Sequence, residues 1–356
     1  MAARVQSDLL DIVDAAYALD VSDADWLARL ANAAAPHLDG GFGIAAFEYD
    51  KPEGSLPQIV QHVHLGIPAD LEAIYHKVFE TMDPEIRLRP FRLGPCITGS
   101  QLMGMREDFR EQPHMKRFVQ NFGMYDSIWI TAAEPSGHGV GFHAGRKKIG
   151  WATPSQRARW GRIAAHLSTA LRLRHVLRAA KTSPLDNRPD AVLDPSGKVR
   201  DAVGDASSDG ARDLLRKAVI SLERSRGAMR ARDPDKSLAI RRALVAGRWS
   251  LVEQVDLDNH RYIVARQNVP AAPGPELLTP RERQVIAYAK LGHHNKLIAY
   301  DMGIADSTVR VLLARAAAKL GVRKRADLLR CYEDGWTPPA VPGPTRPAET
   351  MAQRAR

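Results

Sequence analysis

The residues best placed to do chemistry lie near the C-terminus. Ser307, Thr308, Arg310, Val311, Ala314, Arg315 and Lys319 recur along one helical pattern, and Lys296 precedes them. Hydroxyls and free N–H groups at a helix start suit a phosphate. Arg310, one turn in, can reach guanine O6 and N7. Ala314 and its neighbouring alanines keep the helix slim enough for a groove. Arg323, Lys324 and Arg325 cluster just beyond, suited equally to phosphate contact or to a solvated turn. From Leu278 to Arg330 the chain holds eleven Lys or Arg against four Asp or Glu. That surplus is a phosphate-binding footprint, and double-stranded DNA is the expected partner.

Other groups promise less. His62 and His64 stand at i and i+2 on a strand face, a spacing metal sites use. No third ligand is evident beside them, and His138 and His143 belong to a different hairpin, so no metal is assigned. Cys96 and Cys331 are far apart and unpaired in spacing. That excludes a disulfide framework and a zinc finger and fits a reducing cytoplasm. No nucleophile elbow, phosphate loop or paired-histidine motif appears, so neither an enzyme nor a cofactor is expected. Asp258 and Asn259 read as turn residues.

Three short helical patterns must position the basic face. Thr279-Pro280 opens the first and Gly292 closes it. Gly303 separates the second from the third, and Asp306 or Ser307 caps the third. Val309, Leu312, Leu313, Ala316 and Leu320 share the third helix's inner face. Glu282, in a first turn, complements the helix dipole. Short helices joined by a Gly-containing turn make a helix-turn-helix.

The segment resembles the C-terminal DNA-binding domain of LuxR-type (GerE-type) transcriptional regulators. Leu278-Thr279 with Arg281-Glu282 matches the opening motif. Gly292, Asn295-Lys296, Ile298-Ala299, Gly303-Ile304, Ser307-Thr308-Val309 and Lys319-Leu320-Gly321-Val322 follow in order and spacing. Leu297 stands where the family usually has Glu, and Leu312 where a polar residue is common. The resemblance implies an operator with two half-sites, a homodimer, and RNA polymerase as a further partner. It also suggests a ligand site. In the quorum-sensing members an Asp-Pro pair supplies a carboxylate to a lactone amide, and Asp83-Pro84 sits in similar surroundings. The family's tryptophan after that pair is absent here, and Phe91 stands nearest. Tyr75, Asp83, Phe91 and Trp129 are therefore the candidate residues for a small-molecule ligand.

Upstream, the pattern predicts an α+β multidomain chain. Residues 1–181 read as a GAF- or PAS-like sandwich: two helices over 8–38, strands at 42–50 and 57–65, helices at 70–79 and 114–123, a hairpin over 127–146, and a long helix from 154 to 180. Residues 154–181 carry seven Lys or Arg and no acid. The apolar stripe, Trp160 to Leu177, suits either its own sheet, with a solvated basic face, or a dimer partner. Residues 190–268 read as a reduced PAS-like region of two hairpins flanking helices over 209–230 and 236–245. Stretches 182–190 and 269–276 read as linkers, the second letting the head at 277–335 reorient. The Pro-rich tail, 337–356, is expected to be disordered.

The whole chain has 356 residues and a formal charge of +10, which favours a polyanionic partner. No apolar run suits a membrane span and no leader is expected, so a cytoplasmic protein follows. The leading expectation is a transcriptional regulator with a sensory or dimerising N-terminal half. The alternative is a ligand-binding or enzymatic protein whose C-terminal bundle serves assembly.

Overall fold

The computed structural model describes residues 8–51, 55–104, 113–181, 188–255, 259–272 and 274–333. The expected tail at 337–356, most of the linker at 182–190 and the Asp258 turn lie outside the described residues.

Helices α1 (Leu10–Ala16) and α2 (Asp23–Leu38) come first. Ser22 caps α2 by accepting from the Asp25 N–H, and the Trp26 indole donates to the Ala16 carbonyl at 2.9 Å, clasping the pair. Strands β1 (Ile44–Asp50) and β2 (Gln58–Leu65) follow, then α3 (Ala69–Thr81) and α4 (Pro84–Leu88). Next come β3 (Cys96–Thr98), α5 (Gly99–Leu102) and α6 (Pro113–Phe122). Strands β4 (Asp126–Ala133) and β5 (His138–Arg146) and helix α7 (Pro154–Lys181) complete the unit.

The five strands form one antiparallel sheet in the order β2-β1-β5-β4-β3. Alternation gives it two apolar faces. Ile44, Ala46, Ile130, Val140 and Phe142 bury against α1, α2 and α7. On the other face the register lines up His64, Ala45, His143, Trp129 and Ile97 across the sheet. Helices α3 and α6 cover that second face.

The second unit holds β6 (Ala191–Leu193), β7 (Val199–Ala202), α8 (Asp209–Arg224), α9 (Ala228–Arg232), α10 (Pro234–Ile240), β8 (Trp249–Val255) and β9 (Arg261–Gln267). Its strands are antiparallel in the order β7-β6-β9-β8, packed by Leu215 and Val219 of α8. The helix expected over 209–230 breaks at Gly227, whose φ of +59° lies in the left-handed region. The helix expected to reach 245 ends at Ile240; beyond it Val245 bridges to Trp249.

Helix α7 is the spine of the molecule. Trp160, Ile163, Leu167 and Leu171 pack on the first sheet, while Leu173 packs on Val252 and Val264 of the second. Those five residues of the apolar stripe are thus consumed inside the chain, while Val176 is 47% exposed. The basic face is not solvated throughout: Arg157 is exposed, but Arg172 and Arg174 are buried. Arg172 donates to Asn268 at 2.6 Å and lies 3.7 Å from Glu134; Arg174 donates to the Ala18 and Val21 carbonyls, each at 2.9 Å. Buried guanidinium groups need such partners.

Four helices end the described residues: α11 (Pro280–Lys290), α12 (Asn295–Met302), α13 (Asp306–Lys319) and α14 (Arg325–Glu333). The fourth was not legible in the sequence, where Arg323-Lys324-Arg325 read only as a basic cluster, suited equally to phosphate contact or to a solvated turn.

Candidate nucleic-acid interface

The C-terminal head is built on local signals. Thr279 and Glu282 form a reciprocal capping box on α11, with Pro280 in the first turn. Gly303 ends α12 at φ +61°, so the chain turns directly into α13. Val285, Tyr288, Ile298, Met302 and Val309 form the core between α11, α12 and α13. Leu278, Ile286, Ala316, Leu320 and Leu328 form a second cluster that fastens α14. His293 meets the buried Asp301 carboxylate at 2.8 Å and stacks on Tyr288. The first residue of α13 is Asp306, so the cap position falls on Ala305, which offers no side-chain bond, rather than on Asp306 or Ser307.

The outer face of α13 is open. Ser307, Thr308, Arg310, Val311, Ala314, Arg315 and Lys319 are all exposed, while Val309, Ala316 and Leu320 are buried. Lys296 on α12 and Arg323 and Lys324 before α14 are exposed too. Three of the basic groups already have partners. Arg310 reaches back one turn to Asp306. Lys319 donates to Glu282 at 2.8 Å, an oxygen shared with the capping box. Burial would raise the Glu282 carboxyl, but the hydrogen bonds from Lys319 and Thr279 hold it below its ordinary range. Arg325 donates to Asn295 Oδ1 at 2.7 Å and to the His293 carbonyl at 2.9 Å. Lys319 and Arg325 thus hold the head together, leaving Lys296, Arg315, Arg323 and Lys324, with Arg310 behind a surface ion pair, as the cations facing water.

The head is packed on the other two units rather than hung from a free linker. On α12, the Tyr300 hydroxyl lies 3.0 Å from His166 Nε2 on α7 and donates to the Leu238 carbonyl at 2.8 Å. The other imidazole nitrogen of His166 is 3.3 Å from the Tyr17 hydroxyl of the first unit. Burial, with Arg241 nearby, drives the His166 pKa down to about 3. Backbones approach closely around this contact. A Cβ on Gly303 would stand 1.9 Å from the Leu244 carbonyl oxygen, and one on Gly292 2.7 Å from the Gly94 nitrogen.

A second feature lies far from the head. A cavity of about 390 Å³ opens between the first sheet and α3, α4 and α6. Tyr75, Phe91 and Trp129 line it together, as the sequence suggested. Asp83 does not. It caps α4, accepting from the Glu85 N–H at 2.8 Å, and its side chain is exposed. The carboxylate at the wall is Asp126, whose oxygens accept from the Ser100 and Ser127 N–H groups, the Ser100 hydroxyl and the Gly150 N–H. His143 also faces the cavity, between the Trp129 and Tyr75 rings, and burial lowers its pKa to about 3. Neither residue was singled out for this role, because each is recognisable only once the sheet register is known.

Comparison with known proteins bears on the head. Residues 276–332 match the family model of the bacterial regulatory proteins, luxR family (GerE). The chain carries a luxR-family domain. No curated protein matches the chain. Among solved structures it is similar to Escherichia coli SdiA, at 11% identity over 88% of this chain and 90% of that one, with a TM-score of 0.31. A likeness that weak carries nothing about function.

The departures within the luxR-family domain have structural reasons. Leu297 faces α7 rather than water: it is 6% exposed, and a Cβ on Gly161 would stand 3.2 Å from its Cδ2. An apolar residue suits that contact and a glutamate does not. Leu312, where a polar residue is common, is half-buried against the head's own core. No helix among the described residues is long and apolar enough to cross a membrane.

Proposed function

We propose that this protein is a cytoplasmic transcriptional regulator that reads a two-half-site operator as a homodimer. The observation that carries the reading is the open face of α13. Ser307 and Thr308 start it, Arg310, Val311, Ala314 and Arg315 follow at helical spacing, and all are exposed on a luxR-family domain. In this reading Arg310, freed from Asp306, reads a base edge, while Lys296, Arg323 and Lys324 hold phosphates. Lys319 and Arg325 support the head from within. Two-fold symmetry remains the argument for a dimer, since a two-fold protein reads a two-fold site. RNA polymerase is the partner through which such a regulator acts.

The first unit belongs to the same proposal as a GAF- or PAS-like sensory domain, with residues 190–268 as a reduced PAS-like companion. Its support is a cavity between sheet and helices, walled by Tyr75, Phe91 and Trp129. Its size and apolar walls suit a small, largely apolar ligand. Asp126, saturated by its own hydrogen bonds, is not the group that would hold such a ligand's polar end. The alternative, a bundle kept for assembly, accounts for the packing of α12 on α7 but not for the open face of α13.

Selection of bound DNA from a random pool tests the reading. Enrichment of a two-half-site sequence is expected, with salt-dependent affinity that falls in Arg310→Ala. A pool without enrichment at any salt concentration would refute it.

A further inference from the structure

The rim of the cavity gathers four groups that no step above uses. His62 and His64 project from edge strand β2, opposite Phe47 and Ala45 of β1. Glu72 and His76 stand one turn apart on α3, which crosses that strand. His64 Nδ1 is 2.7 Å from Glu72 Oε1, and His76 Nε2 is 3.8 Å from the same oxygen. The His62 and His64 rings lie 4.8 Å apart, with His76 at 6.2 and 6.3 Å from them. The donor atoms of His62, His64 and Glu72 all lie within 4.8 Å of one another.

The geometry points to a binding site for a divalent transition metal of the zinc class, held by His62, His64 and Glu72, with His76 as fourth ligand. Two imidazoles and a carboxylate are the ligand types such an ion takes, and a third imidazole makes the set tetrahedral. With bonds of about 2.0–2.1 Å, ligand atoms of a tetrahedral ion lie about 3.3 Å apart. From a span of 4.8 Å the set closes by up to about 1.5 Å through rotation of partly exposed side chains.

The two ligand pairs come from different elements, β2 and α3, so the ion does mechanical work. It clips α3 to the edge of the sheet and closes one wall of the cavity, which His62, His64 and His76 also line. This inference does not depend on DNA binding or on a cavity ligand.

The test uses the full-length chain, freed of metal with a chelator and titrated with Zn²⁺ against a chromophoric competitor. One equivalent should bind. His62→Ala and Glu72→Gln should each weaken it at least ~10-fold, the scale seen even for groups that only support a ligand. His138→Ala, at the separate His138–His175 pair, should bind as the parent does. Co²⁺ should give a tetrahedral visible spectrum in the parent that His62→Ala abolishes. Both altered side chains reach solvent, so metal-free melting temperatures should match. Parent binding below one equivalent, or binding unchanged in both variants, would overturn the assignment, as would loss in His138→Ala instead.

Discussion

Replacing Leu297 with glutamate should release the C-terminal domain from α7 without unfolding it. Leu297 is 6% exposed, and its methyl groups lie over Gly161 of α7. Fully burying a leucine contributes about 1.5–3 kcal/mol. A polar group placed there without a partner adds a desolvation cost of about 1–3 kcal/mol, more if charged. Together the docked state loses about 2.5–6 kcal/mol. At 1.4 kcal/mol per factor of ten, that shifts docking between about sixtyfold and about twenty-thousandfold. The domain itself should tolerate the change, since the LuxR-type family usually carries Glu at this position. Hydrogen exchange is the assay. Amides of α12 and of the facing part of α7 should exchange faster, the core of α11 should not, and Leu297→Met should behave as the parent. Unchanged protection in α12 and α7, with the domain folded, would refute the argument that this side chain holds the units together.

Four further outcomes follow from the same geometry. In a binding assay on the selected operator, Arg310→Ala should cost about 1–3 kcal/mol and relax preference at one base pair; an unchanged preference would remove Arg310 from base reading. Converting Arg323 and Lys324 to glutamine should reduce the slope of log affinity against log salt by about two, near 0.9 per phosphate lost. Arg325→Ala should instead lower the head's melting temperature, because Arg325 bridges Asn295 and His293. Acid should destabilise the fold through His143 and His166, both held neutral with pKa values near 3. Their folded values lie below the unfolded 6.5, so stability is whole above about pH 6.5. It is lost as the pH falls towards 3, by about 1.4 kcal/mol per pH unit for each imidazole. Urea denaturation from pH 7 to 4 should therefore be flatter by that slope in His143→Phe, and parallel curves would contradict it.

What the sequence shows depends on how far away the deciding partner lies. The head was legible because its signals are local: Thr279 with Glu282, Gly303 at a left-handed cap, and apolar residues at helical spacing in α13. Strands β1, β2, β4 and β5 and the hairpin of β8 and β9 were legible for the same reason. Three-residue β3 and four-residue α5 are too short to show a period. Arg172 and Arg174 read as solvent-facing because their partners, Asn268 and Ala18, lie 96 and 156 positions away. The apolar stripe of α7 was visible, but not that two sheets and the head share it. Asp83 preceded a proline, and its carboxylate went to the local Glu85 N–H, the nearest donor. His62 and His64 were visible as a pair, while Glu72 and His76 join them only when α3 crosses β2.

The packing of the head constrains how the chain could control it. Tyr300 and Leu297 face α7, whereas Ser307, Arg310, Ala314 and Arg315 face water on the neighbouring helix. Docking and reading therefore use different faces of one small domain. A contact that leaves the reading face open cannot inhibit by covering it. It can only fix the direction in which α13 points. For a single head that direction costs nothing, because free DNA meets it from any side. For two heads on one operator it decides whether both helices enter the groove one turn apart. Control by docking in this molecule must then appear as a change in preferred half-site spacing rather than in half-site affinity. Leu297→Glu should broaden the tolerated spacings while binding a single half-site as the parent does. Identical spacing preference in parent and variant would show that α7 carries the head without aiming it.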